Sequence, residues 1–308
     1  MQKIFLFLLC LLLPMELSAV DHCTDPRQYT VDRRCYVPDS VKDTKPYSAV
    51  VALIDDTKFV FCSGTIVQDE DGGVFLYTAK HCADMNKDGV LTKNITFRLY
   101  NGKKYDVTVN KNDCTYGKYN TQTKAGTSGD WLMCRLKVTD IPMINRTGKY
   151  RFGIDPFVPK YDVKLVGFGA LKVMSDQEIQ KFKQKYIEYL SERRIHLNGT
   201  ESKYGWRQDG GLWIENDYVK DFITMLSKKE PKYYRDIFKD TDDLKVSGCE
   251  YSTVGKAYNC QGWGGNSGGG IFDKNGNIVG IHTRGLKVVG GTGHAESTGN
   301  VPLLQTFF

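Results

Sequence analysis

Between about residues 46 and 170 the apolar positions fall in short runs separated by Asp- and Gly-rich turns, the pattern of β-structure. Tyr47 to Ile54, Lys58 to Val67 and Gly73 to Thr78 are predicted strands. Ile95 to Tyr100 and Tyr105 to Val109 form a predicted hairpin about Asn101-Gly102. Trp131 to Val138 and Val163 to Phe168 continue the series. From about 172 to 245 the apolar period changes to that of a helix. Ser175 with Glu178 makes a capping box, and Ile179, Phe182, Tyr186 and Leu190 follow on one helical face. Val219, Phe222, Ile223 and Leu226 mark a second helix, and Lys232 to Lys239 a third. Strand character returns at Gly270 to Phe272 and at Ile278 to Thr283. The predicted fold is all-β with a helical insertion.

The N-terminus adds a compartment. Lys3 precedes an apolar run, Ile4 to Leu13, which is too short to cross a bilayer, and Ser18-Ala19 offers a small-residue cleavage site. Residues 1–19 thus read as a secretory signal peptide, and the mature chain is expected to be secreted or periplasmic, with no membrane attachment. Residues 20–45 carry a dibasic Arg33-Arg34 and read either as a short propeptide or as an ordered arm. One of the nine cysteines, Cys10, lies in the signal, and the remaining eight fit an oxidising compartment. Their pairing is open, with roughly a hundred connectivities. A net charge of +6, without a basic block, gives no footprint for nucleic acid. The charges of the helical insertion are dense but mixed, as on a solvated surface.

The candidate chemistry centres on Gly262-Trp263-Gly264-Gly265-Asn266-Ser267-Gly268-Gly269-Gly270. By itself this run also fits a flexible glycine loop. A serine held inside it, however, would sit on a tight turn with neighbouring N–H groups able to converge, as acyl transfer requires. Such a serine needs a general base and the base an orienting carboxylate. The five histidines are His22, His81, His196, His282 and His294. His81 follows a predicted strand in Thr78-Ala79-Lys80-His81-Cys82. Asp130 opens the strand Trp131-Leu132-Met133.

Taken together, these segments resemble the chymotrypsin-like (trypsin-fold) serine proteases. Phe61-Cys62-Ser63-Gly64-Thr65-Ile66 is similar to the family strand that begins with a disulfide cysteine. Gly167-Phe168-Gly169 is similar to the start of the second barrel, and Gly265-Asn266-Ser267-Gly268-Gly269 to the nucleophile motif. The resemblance covers about 46–170 and 246–305. It implies two antiparallel β-barrels, about 46–150 and 151–308, with the helical insertion in the second. It further implies Ser267 as nucleophile, His81 as general base, Asp130 as its orienting partner, and the Gly265 and Ser267 N–H groups as oxyanion hole. A Cys62–Cys82 disulfide is implied, with Cys249 and Cys260 as further disulfide cysteines. The substrate would be a protein or peptide, the chain a monomer by default, and neither cofactor nor metal is called for.

Departures from the family set further expectations. Asn266 stands where digestive members have the aspartate that pairs with a newly cut N-terminus, so activation by that ion pair is not expected. With the residues around it, Asn266 is closer to the glutamyl-endopeptidase branch. Gln261 at the base of the primary pocket removes the carboxylate of a trypsin-like preference. His282 aligns with the histidine through which that branch binds an acidic side chain, although Gly262 replaces its usual hydroxyl. Thr283, Arg284 and Gly285 would pair with substrate backbone. Asp84, Asn86, Asp88 and Gly89 match half of an EF-hand loop but lack the glutamate, Ile95 standing in its place, and read as a polar turn. Asn94, Asn145 and Asn198 open sequons that matter only in a glycosylating host. From another functional class, the chain would be a catalytically silent protease-fold binding module using its insertion. The insertion as an exosite predicts that deleting 175–243 impairs protein substrates and spares small peptides.

Overall fold

The computed structural model describes residues 34–68, 72–84, 90–100, 104–118, 129–137, 148–149, 160–197, 202–208, 210–239, 242–252, 257–258, 260–283 and 288–289. The expected signal peptide lies outside these. Most of the regular secondary structure in the described chain is β, chiefly in two sheets that are antiparallel apart from one short parallel pairing at Gly148–Lys149. The first runs in the order Lys104–Val109, Ile95–Tyr100, Val50–Ile54, Val60–Gln68, Val74–Thr78, Leu132–Arg135, Cys114–Tyr116. The second runs Arg34–Tyr36, Lys245–Ser252, Lys160–Gly167, Gly270–Asp273, Ile278–Ile281.

Val50–Ile54 is buried at every position, which explains an apolar run without alternation. Val51 and Leu53 face one core with Leu76, Phe97 and Leu132. Val50, Ala52 and Ile54 face another, shared with Val166, Phe168, Val246 and Phe272 of the second sheet. Alternate side chains of a strand point to opposite faces, so this strand is a wall common to two cores. Val107 and Val109, near one edge of the first sheet, join the same core as Cys134 near the other, so the sheet curls around it.

The predicted strands recur with ends shifted by one to three residues, some trimmed and some extended. Tyr47–Ala49 is instead a short 3-10 turn: Ala49 N–H donates to the Pro46 carbonyl (3.1 Å), and Ser48 N–H to Thr44 (2.9 Å). Those donors are thereby withheld from a ladder. Lys245–Ser252 was not anticipated, because Lys, Ser, Gly and Glu are weak strand formers; its two neighbours impose the ladder. Within the described part of the arm, Arg34–Tyr36 pairs with Lys245–Ser252, and Cys35 and Val37 enter the shared core.

The insertion is helical as the pattern predicts. Asp176–Glu192 starts with the capping box, Glu178 N–H donating to Ser175 Oγ (3.3 Å) and Ser175 N–H to Glu178 Oε2 (2.9 Å). Asn216 caps Asp217–Lys229 by accepting from Tyr218 N–H (3.0 Å). Pro231–Phe238 begins with proline, whose missing N–H is not needed in a first turn. The three helices enclose their own core around Phe182, Tyr186 and Phe222. Among the described residues no helix is long and apolar enough to cross a membrane.

Candidate functional site

Register brings the candidate base and acid together. Val74–Thr78 pairs antiparallel with Leu132–Arg135, Thr78 opposite Leu132. His81, three residues beyond Thr78, therefore meets Asp130, two before Leu132. His81 sits in the single helical turn Lys80–Ala83, anchored by the Cys62–Cys82 disulfide. Asp130 is fully buried, and both its oxygens serve the histidine. Oδ2 lies 2.8 Å from His81 Nδ1, and Oδ1 accepts from the His81 backbone N–H at 3.0 Å. A carboxylate gripping ring and backbone at once fixes the rotamer and leaves Nε2 as the outward nitrogen.

Ser267 reaches this pair from the second sheet. Its carbonyl accepts from Ser63 N–H (2.8 Å) and lies 3.6 Å from Cys82 Sγ, so the serine turn rests on the histidine-bearing segment. Gly268 N–H donates to the His282 carbonyl (2.6 Å), and His282 N–H to Gly269 (2.8 Å), clamping the turn from behind. At Gly268 φ is +83°, and a Cβ there would overlap Ser63 O and Thr78 Oγ1, so only glycine lets the two sheets approach this closely. Gly265 has φ +101°. Among the described residues, neither the Gly265 N–H nor the Ser267 N–H meets an acceptor, leaving two main-chain donors flanking Asn266. No hydrogen bond joins Ser267 Oγ to His81 in the free chain.

Two residues that the sequence left in the background hold this arrangement. Ser63 Oγ donates to the Gly265 carbonyl and accepts from Phe168 N–H, both at 2.7 Å, and so ties the sheets together beside Ser267. Trp263 is a part of the insertion's core, its ring 6.5 Å from Phe238, while its N–H donates to Asn266 Oδ1 (2.9 Å). The Ser267 turn and the helices are thus packed together. Deleting 175–243 would strip Trp263, so that deletion cannot separate an exosite from a buttress.

Of the expected pocket residues, Gln261 is partly buried, its N–H donating to Ser247 Oγ (3.0 Å). Thr283 is buried; Arg284 and Gly285 lie outside the described residues. His282 is buried, and desolvation first, then the neighbouring His81, push it down to about 3. It is therefore a neutral imidazole in the free chain. A Cβ on Gly262 would stand 2.9 Å from its Cε1 and Nε2, so a glycine here is what gives the ring its room.

Cys249–Cys260 is formed and ties the Lys245–Ser252 strand to the approach of the Ser267 turn. Cys114–Cys134 is a further disulfide, and Cys35 is also disulfide-bonded. Cys62, His81 and Cys82 cluster closely enough to suggest a metal, but both sulfurs are consumed by a disulfide and offer no thiolate. Asp84 is buried, whereas Asn86, Asp88 and Gly89 of the half EF-hand motif lie outside the described residues.

No protein-family profile and no curated protein matches the chain.

Proposed function

We propose that the chain is a secreted serine endopeptidase of the chymotrypsin-like class, its two sheets being that fold's two barrels. The observation that carries this reading is the buried Asp130 gripping His81 beside a serine turn that keeps two main-chain donors unengaged. In this reading Ser267 Oγ attacks the scissile carbonyl, and His81 Nε2 takes its proton, then delivers it to the leaving amine. Asp130 keeps the proton of His81 on Nδ1 and stabilises the imidazolium. The Gly265 and Ser267 N–H groups receive the negative charge that develops on the carbonyl oxygen. Water then releases the acyl group by the same steps reversed. The disulfides support export.

For specificity we propose an acidic residue before the scissile bond. Gln261 supplies no carboxylate to attract Lys or Arg. His282, neutral but near the site, would donate a hydrogen bond to a substrate carboxylate, a charge-assisted bond even from an uncharged imidazole.

The test is labelling of the mature protein by a fluorophosphonate. Wild type should label and Ser267→Ala should not. The missing hydrogen bond between Ser267 Oγ and His81 favours one second reading, a silent protease-fold binding module. Free enzymes often show this bond long, tightening only with substrate. A folded wild type that fails to label would decide for the binding module.

A further inference from the structure

Lys245 is a lysine with almost no exposed surface, 1%, at the start of a strand in the second sheet. Its Nζ donates to the Gly169 carbonyl (2.9 Å) and to the Asp243 carbonyl (3.2 Å), and lies 5.3 Å from the centre of the Tyr36 ring. Burying an ammonium is unfavourable unless its donors are engaged, so the carbonyl it grips is the natural place to look for its role. Gly169 C=O and Ala170 N–H belong to one planar peptide, and point in opposite directions. Ala170 N–H donates to the Gly264 carbonyl at 2.7 Å. Gly264 C=O in turn shares a peptide with Gly265 N–H, which must therefore point away from Ala170. Two amide units thus connect a buried cation to one of the two unengaged donors beside Ser267.

The flanking residues brace this relay. Arg34, 4% exposed, donates from its guanidinium to the carbonyls of Leu171 (2.9 Å) and Lys172 (2.8 Å). Lys172 N–H is held by the Ile237 carbonyl (2.9 Å), and Phe168 N–H by Ser63 Oγ (2.7 Å). Every residue from 168 to 172 thus has a main-chain group tied down. Hydrogen bonds in series polarise one another, and a positive charge at the head of the series strengthens the donor at its tail.

We propose that Lys245 is a positioning residue for the oxyanion hole, setting and polarising the Gly264–Gly265 peptide through the Gly169–Ala170 peptide, with Arg34 of the N-terminal arm bracing the same segment. The proposal rests on the serine-peptidase reading. It assigns to two buried cations the task of keeping the hole formed where Asn266 offers no carboxylate to do so. It also gives the ordered arm a purpose: Arg34 and Tyr36 both reach the relay.

The experiment compares wild type, Lys245→Met and Lys245→Gln by the rate of fluorophosphonate labelling against pH, well below the unfolding temperature of each. Methionine fills similar space without a donor; glutamine keeps a donor without the charge. Losing a whole oxyanion donor lowers the rate by about 10²–10³, so a loosened one should lower the Lys245→Met plateau by roughly 10-fold or more. Glutamine should fall between the two. The pH midpoint of labelling should not move, which separates a disturbed hole from a disturbed His81–Asp130 pair. A plateau at the wild-type rate in Lys245→Met, or a displaced midpoint, would overturn the proposal and leave the peptidase reading intact. If Lys245→Met does not fold, Lys245→Gln carries the test by the same two criteria. A folded wild type that does not label would overturn both.

Discussion

Truncating Phe238 to alanine should reach the Ser267 turn, although the residue belongs to the insertion's last helix. Its ring lies 5.8 Å from Phe182, 5.3 Å from Tyr234 and 6.5 Å from Trp263, closing the end of the helical core on the nucleophile side. Full burial of a phenylalanine makes Phe→Ala cost about 3–5 kcal/mol. Phe238 is only partly buried, so about 2 kcal/mol is the working figure. At about 2–4 °C per kcal/mol for a domain of this size, the unfolding temperature should fall by about 4–8 °C. The second effect is the informative one. Trp263 loses its packing partner, and Trp263 N–H and C=O both hold Asn266, the residue before Ser267, each at 2.9 Å. Labelling of Ser267 by a fluorophosphonate, measured well below the new unfolding temperature, should therefore slow as well. Thermal unfolding and labelling on the same samples make the assay. A lowered unfolding temperature with labelling at the wild-type rate would refute the coupling, and the helices would then be a passenger on the sheet.

Three further outcomes follow from the site. Asp130→Asn keeps the shape but presents an amide to His81 Nδ1, and activity on a peptide substrate should fall by about 10⁴ with the unfolding temperature little changed. Replacing both Cys62 and Cys82 by serine opens a 20-residue loop and should remove roughly 3 kcal/mol in urea unfolding, with labelling lost together with the seat of His81. His282 sits below its ordinary value, at about 3 against 6.5, so its contribution to stability is complete above pH 6.5 and is lost as pH falls towards 3. Wild-type urea midpoints should decline over that window, and His282→Gln should decline less; parallel curves would remove His282 as the cause.

The parts of this structure visible from sequence were those written in consecutive residues. The capping box at Ser175 and Glu178, the 3.6-residue period after it and the apolar run of Val50–Ile54 are local, and the structure realises them. The meeting of His81 with Asp130 came from resemblance; the physical cause, the register of Thr78 on Leu132, spans 54 positions and leaves no local trace. Lys245 carries no local signal in the sequence and Arg34 stands out only as half of a dibasic pair, because the carbonyls that receive them, from Gly169 to Lys172, lie 76 and about 137 residues away. Ser63 was seen only as part of a motif, although its hydroxyl joins the two sheets. In each case the missing information was which distant backbone group a polar side chain would find.

The strand Val50–Ile54, buried on both faces, has a mechanical consequence. A substitution on either face damages a core, and because the strand serves both, neither sheet can melt while leaving the other its wall. The two sheets should therefore come apart in one cooperative step. In the peptidase reading the two walls of the site therefore cannot swing apart to suit a substrate, and the polypeptide would itself have to adapt to them.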